Sequence, residues 1–236
     1  MKPRISVCLA SYNGSEFIEE QILSILSQLD KRDELIISDD SSLDGTTEII
    51  KKIAEADHRI RLFEDQIFKS PIYNFEHALK KANGDIIFLA DQDDIWEPDK
   101  VRVSLNELVG YDLIVSDCKV VDINDQVLYR SFYSLNRSGP GFIKNLMHNS
   151  YLGCCLAFKK QVLEYALPFP KKIPMHDWWI GLIGEAHFKT RFLDESLVRY
   201  RRHGKNASPT AEKSQNSILT KVFFRFRLLW EILKSY

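Results

Sequence analysis

The sequence predicts an α/β fold: a mostly parallel central sheet with helices on both faces, completed by antiparallel strands in its second half. Three observations lead there. Short apolar, β-branched runs alternate with amphipathic stretches through the first half, the pattern of right-handed βαβ units. Polar and acidic residues follow these runs, at what would be one edge of the sheet. The chain has 236 residues, 44% of them hydrophobic, enough for a sizeable core without disulfide or metal staples.

The first strand is predicted over 5–10 and is followed by Ser11-Tyr12-Asn13-Gly14. A helix follows over 16–28, where Phe17, Ile18, Ile22, Ile25 and Leu26 recur at helical spacing. The second strand, 35–38, leads into Asp39-Asp40-Ser41-Ser42-Leu43-Asp44-Gly45 and a helix over 46–56, with Asp44 as its cap. A strand at 60–63, a helix at 72–81 and a strand at 86–90 complete the regular half. Asp91-Gln92-Asp93-Asp94 follows the last of these, and ligands of such sheets bind beyond the carboxyl ends of the strands. Further on, strands are predicted at 113–121 and 152–158, near Phe192 and at 197–200, with helices at 141–147 and from Asp177. Residues 204–216 read as a polar linker before a last helix, 218–234.

Composition excludes several classes. The four cysteines are too few for a disulfide scaffold and lack CxxC spacing, so they read as reduced, mostly buried thiols. Residues 1–4 run directly into a strand rather than a signal peptide, and no apolar run approaches the roughly 18 residues of a spanning helix. These features predict a cytoplasmic protein. The net charge of −1 conceals an asymmetry: eight basic and two acidic residues give 201–236 a charge of +6, leaving −7 on 1–200. An acidic body with a basic, apolar tail argues against nucleic acid as a partner and for an anionic membrane surface.

Four clusters carry candidate chemistry. Asp91, Asp93 and Asp94 stand within four residues; such carboxylates repel one another, and Mg²⁺ or Mn²⁺ shared with substrate phosphates would relieve the repulsion. A solvated acidic turn is the plain alternative. Asp39 and Asp40 beside Tyr12 suit a nucleoside, through hydrogen bonds and ring stacking, although capping and turn chemistry would also use them. No GxGxxG or Walker lysine offers a phosphate cradle. His176-Asp177-Trp178-Trp179 reads either as a helix start or as a general base in a cleft walled by tryptophan. Arg201 and His203, in Tyr200-Arg201-Arg202-His203-Gly204-Lys205-Asn206, suit a diphosphate or a metal, or form a solvated basic loop.

Together these residues resemble the inverting glycosyltransferases of family 2, with the Rossmann-like GT-A fold. The resemblance runs in order through Ser6–Gly14, Ile37–Thr46, Phe88–Trp96, Met175–Ile180 and Tyr200–Asn206, and looks like the bacterial branch that builds O-antigens and capsules. It implies a domain over 1–206, with a nucleotide-sugar and metal half at 1–97 and an acceptor half at 98–206; the linker and basic amphipathic helix take up 207–236. Ala10, Ser11, Tyr12, Asp39, Asp40 and Asp91 would surround the nucleotide. Asp93 and Asp91 match the metal-binding DxD pair, for Mn²⁺ or Mg²⁺, with His203 able to reach the ion. Asp177 matches the catalytic base. His176 stands where the family usually has an acidic residue. Asp94, Arg201, Trp178 and Gly153 would serve the diphosphate or the acceptor. The implied reaction moves a single sugar from a UDP-hexose or dTDP-rhamnose to a glycan acceptor, lipid-linked through undecaprenyl diphosphate. The competing reading is a non-catalytic nucleotide-sugar-binding module that keeps the fold.

In the last helix Leu219, Phe223, Phe226, Trp230 and Leu233 recur at helical spacing, widened by Val222 and Leu229, while Phe224, Leu228 and Ile232 lie off the stripe. Its expected partner is the cytoplasmic face of the inner membrane; its own domain or a second subunit in a homodimer are the alternatives.

Overall fold

The computed structural model describes residues 2–203 and 217–235. The linker predicted at 204–216 lies outside them.

The first half alternates as the sequence predicts. It runs β1 (Ile5–Ser11), α1 (Ile18–Leu26), β2 (Glu34–Asp39), α2 (Thr46–Ala56), β3 (Ile60–Phe63), α3 (Pro71–Lys80) and β4 (Ile86–Asp91). β1 and β2 are buried almost throughout, so both faces are covered and the strands read as continuous apolar runs rather than alternating ones. The second half contains β5 (Ile95–Trp96), α4 (Lys100–Glu107), β6 (Leu113–Val121), β7 (Val127–Tyr129), α5 (Phe132–Asn136) and α6 (Phe142–Met147). A 3₁₀ turn (Gly153–Cys155), β8 (Leu156–Lys159), α7 (Val162–Ala166), α8 (His176–His187), β9 (Thr190–Arg201) and α9 (Ile218–Lys234) follow.

One sheet joins the halves in the order β3-β2-β1-β4-β8-β6-β9-β5, with β7 beside β6. β1, β2, β3 and β4 are mutually parallel, and β8 runs against β4 and β6. Because β8 separates two strands antiparallel to itself, β6 and its parallel neighbour β9 point the same way as β1. The second half is therefore mixed, and the carboxyl ends of six strands share one edge.

Two element predictions are corrected. The strand expected over 152–158 is a 3₁₀ turn and then a shorter strand, because Lys100 Nζ donates to the Cys154 carbonyl at 2.9 Å and takes it out of any ladder. The two strands expected near Phe192 and 197–200 are one strand, β9, whose pairing with β6 shifts register around Asp117; charged Asp194 and Glu195 at the shift hide its continuity.

α9 packs on α6 and α8. Leu228 and Ile232 face inward, at 0% and 2% exposure. The helix therefore rests on its own domain, through the residues that lie off the predicted stripe.

Candidate active site

Register places the site. Ser11 pairs with Asp39 and Ala10 with Asp91, so the predicted nucleotide residues from three strands stand side by side at the carboxyl edge. Asp39 is fully buried: it accepts from the Ser11 hydroxyl (2.8 Å), the Ser42 amide (2.8 Å) and the Ser42 hydroxyl (2.6 Å). Asp40 accepts from the backbone amides of Phe68 and Ser70, tying the β3–α3 loop to β2. Asp44 accepts from the Thr46 amide at 3.1 Å and from the Ser15 amide at 3.0 Å, but the cap of α2 is Gly45, in the left-handed region, and not the predicted Asp44. Tyr12 is 57% exposed at the rim, its ring open for stacking.

Gln92 locks this rim to the acidic turn. Its side chain accepts from the Tyr12 amide at 2.8 Å and donates to the Tyr12 carbonyl at 3.0 Å. A side chain at Gly14 would place a Cβ 2.3 Å from Gln92 Oε1 and displace that amide from its two hydrogen bonds to Tyr12. The Gln21 side chain donates to the Asp91 carbonyl (2.7 Å) and that of Asn74 to the Ser11 carbonyl (3.0 Å), fixing both strand ends from α1 and α3.

The acidic turn is under electrostatic tension. Burial, then the charges of Asp93 and Asp177, push the Asp91 carboxyl up to about 8. Burial and the charges of Asp93 and Asp91 likewise raise Asp94 well above the usual carboxylate range. Asp94 Oδ1 accepts from the Arg201 amide at 3.0 Å, whereas its Oδ2 is buried with no hydrogen-bond partner. Asp93 meets His203 Nε2 at 2.8 Å, and His203 stacks on Phe17 with ring centroids 5.1 Å apart.

Arg201 braces the turn from β9. Its side chain donates to the Asp93 carbonyl (3.0 Å), the Ile123 carbonyl (3.2 Å) and Glu20 (2.7 Å), and lies 4.8 Å over the Phe17 ring. With 4% exposure it holds the acidic edge in shape.

The donor set fits a hard divalent cation. Crowded carboxylates with raised pKa values and an orphaned oxygen lose their repulsion when one is bound. Asp91, Asp94 and the Cys154 thiol offer ligand atoms within 4.8 Å of one another, but a hydrogen bond to Cys155 and burial hold Cys154 in the thiol form. Carboxylate oxygen is thus the relevant ligand, not sulfur.

Across the cleft, the first turn of α8 carries His176 and Asp177. Burial pushes the Asp177 carboxyl up to about 7, against the lowering effect of the Trp178, Gly153 and Asp177 amides. The Trp178 amide donates to its Oδ1 at 2.6 Å. His176 stacks on Phe75, ring centroids 4.0 Å apart, with neither ring nitrogen hydrogen-bonded; burial lowers its pKa to about 3, so the imidazole is neutral. Gly153 fits between them: a Cβ there would lie 3.0 Å from His176 Nε2. Trp178 is directed elsewhere, its indole N–H donating to the Asn145 carbonyl at 2.7 Å.

The structure thus brings Asp91, Asp93, Asp94, Arg201 and His203 together, and sets Asp177 within electrostatic reach of Asp91, with His176 and Gly153 beside it. Gln92, Lys100, Glu20, Phe17 and Phe75 support these groups and went unread in the sequence. Gln92 alone had a local signal, its place inside the acidic turn. A cavity of about 930 Å³ at the other end of the sheet, bordered by Pro3, Ile86, Val101 and Lys160, involves none of them.

A mixed sheet whose parallel strands end beside an acidic turn, with a buried carboxyl coupled to that turn, is the architecture of the GT-A class of glycosyltransferase folds. Staphylococcus aureus TarS residues 1–349, in complex with UDP-GlcNAc, superposes with a TM-score of 0.74 at 18% identity, covering 98% of this chain and 66% of that one. The glycosyl transferase family 2 model matches residues 6–165, and the chain belongs to that family. Its relatives include the Bacillus subtilis (strain 168) glycosyltransferase TuaG, named for teichuronic acid biosynthesis, which is 32% identical over 211 residues, 85% of this chain and 79% of TuaG. The Escherichia coli UDP-Glc:α-D-GlcNAc-diphosphoundecaprenol β-1,3-glucosyltransferase WfgD is 24% identical over 234 residues, 98% of this chain and 86% of WfgD.

Proposed function

We propose that this glycosyltransferase transfers one sugar, with inversion, from a nucleotide-sugar donor to a hydroxyl of a lipid-linked glycan in bacterial surface polysaccharide synthesis. The observation that carries the reading is Asp177: a buried carboxyl with a pKa of about 7, electrostatically coupled to Asp91 at the nucleotide edge. A general base works best with a pKa near the operating pH.

In this mechanism Ala10, Ser11, Asp39, Asp40 and Asp91 line the nucleotide site, and the Tyr12 ring stacks on the base. The donor is a UDP-hexose or dTDP-rhamnose. Asp93 and Asp91 would hold Mn²⁺ or Mg²⁺, with His203 and Asp94 alongside; when bound, the ion stabilises negative charge on the departing diphosphate. Arg201 keeps the carboxylates in place. Asp177 takes the proton of the acceptor hydroxyl while that oxygen bonds to the anomeric carbon. The bond from that carbon to the diphosphate oxygen breaks on the opposite face, and the nucleoside diphosphate leaves with the electron pair. One displacement with one base inverts the anomeric centre. The acceptor named for WfgD, a sugar on diphosphoundecaprenol, supports a lipid-linked acceptor and a reaction at the cytoplasmic membrane face.

The test offers a panel of nucleotide sugars, with and without Mn²⁺, to the wild type, Asp177→Asn and Asp93→Ala. Metal-dependent binding of one donor is expected, with slow donor hydrolysis lost in Asp177→Asn. Asp93→Ala should weaken the metal-stimulated binding at least about tenfold. Donor binding without turnover, even with lipid-linked acceptor supplied, would favour the binding-module reading; no binding of any donor would refute both.

A further inference from the structure

The last helix has more apolar surface than its own domain covers. Leu219, Val222, Phe223, Phe226, Trp230 and Leu233 are between 47% and 83% exposed. At 100° per residue they fall within an arc of about 100°, opposite the inward-facing Leu228 and Ile232. Among the described residues nothing covers this face. On neighbouring α6, Ile143 and Met147 are also exposed, at 69% and 56%.

The charges beside the stripe indicate what does cover it. Arg225 lies along one border and Arg227 and Lys234 along the other, with Glu231 bridged to Arg227 (2.9 Å) and Lys234 (3.5 Å). Three cations and one anion flank the apolar surface. A second copy related by a twofold axis would bring these cationic borders together, whereas an anionic bilayer neutralises them. An exposed stripe containing Trp and Phe with basic margins is the chemistry of a helix lying in the headgroup region.

We propose that the outer face of α9 docks on an anionic lipid surface and holds the mouth of the active site beside it. α9 packs on α8, whose first turn carries Asp177. The Arg225 guanidinium lies 6.0 Å over the Trp178 ring and donates to the Met147 carbonyl at 2.6 Å. The docking surface and the base are thus parts of one rigid assembly. Docking needs neither donor nor turnover, so it is tested independently of sugar transfer.

The experiment is co-sedimentation of the whole chain with vesicles of phosphatidylglycerol and phosphatidylcholine, and of phosphatidylcholine alone. The wild type should bind the anionic vesicles and prefer them over neutral ones. The double variant Phe226→Ser/Trp230→Ser, at two exposed positions, should keep the wild-type melting temperature and lose at least about tenfold in binding, since two aromatic side chains no longer enter the interface. Arg227→Gln/Lys234→Gln should erase the preference for the anionic lipid. Absence of wild-type binding, or equal binding by the serine variant, would overturn the proposal. So would a concentration-dependent dimer that the serine variant dissociates without any vesicle binding, which would assign the face to a second copy.

Discussion

At the β1–β2 side of the cleft, Asp39 accepts three hydrogen bonds and Asp40 two, all from their own chain. At the β4–α8 side, Asp94 Oδ2 and both ring nitrogens of His176 are buried without partners, and Asp91 and Asp177 are pushed to about 8 and about 7. On the first side the carboxylates are satisfied as folded; on the second, buried carboxyl and imidazole atoms lack hydrogen-bond partners. A nucleotide needs a preformed rim, which costs little to organise at binding. A reacting centre needs groups whose partners arrive with the substrates, so its strain is carried by the free protein.

This contrast is open to attack from both sides. The largest effect belongs to Asp177→Asn: transfer should fall about a thousandfold, within the range for removal of a general base, while donor affinity stays within a factor of two. In the wild type, kcat/KM should rise with unit slope up to about pH 7 and then level. The same variant should melt at a higher temperature than wild type at pH 8. The carboxyl's pKa is higher folded than unfolded, so ionising it opposes folding from about pH 4 upward, fully above about pH 7, and the amide removes that cost. A lower melting temperature would break the contrast.

His176→Phe comes next. The unfolded imidazole takes a proton near pH 6.5, the buried one only near pH 3, so stability present above 6.5 is lost as pH falls between them. Phenylalanine keeps the stack on Phe75 and removes that proton uptake. At pH 4.5 the variant should gain about 2 kcal/mol over wild type relative to their difference at pH 8, read from urea denaturation. The smallest effect is on the completed side. Asp40→Asn should cost about 1–2 kcal/mol of stability at neutral pH, through a poorer match to the Phe68 and Ser70 amides.

Much of this was legible in the sequence, for physical reasons specific to each part. β1 to β4 and α1 to α3 follow from apolar periodicity because each is a local pattern buried on a predictable face. The acidic turn and Asp177 were visible because charged residues interrupt apolar runs there. The 3₁₀ turn at Gly153–Cys155 was hidden, since a lysine more than fifty positions earlier, buried beneath it, redirects its carbonyl. β9 read as two strands because a register shift looks like an end. The unpartnered state of His176 depends on Phe75 and Gly153, and no spacing rule joins three such distant positions. In α9 the stripe was read correctly, but which face meets the domain depends on α6 and α8.

The bracing of the acidic turn by Arg201 has a consequence for how the protein is made. Its guanidinium and amide reach Asp93 and Asp94 across more than a hundred residues, from the last position of β9. During synthesis the turn leaves the ribosome long before its counter-charge. The family's recognisable segment, residues 6–165, therefore emerges with its carboxylates crowded and unbraced. The brace is completed only when β9 slots between β6 and β5, and a chain cut short before that strand would lack both Arg201 contacts to the acidic turn.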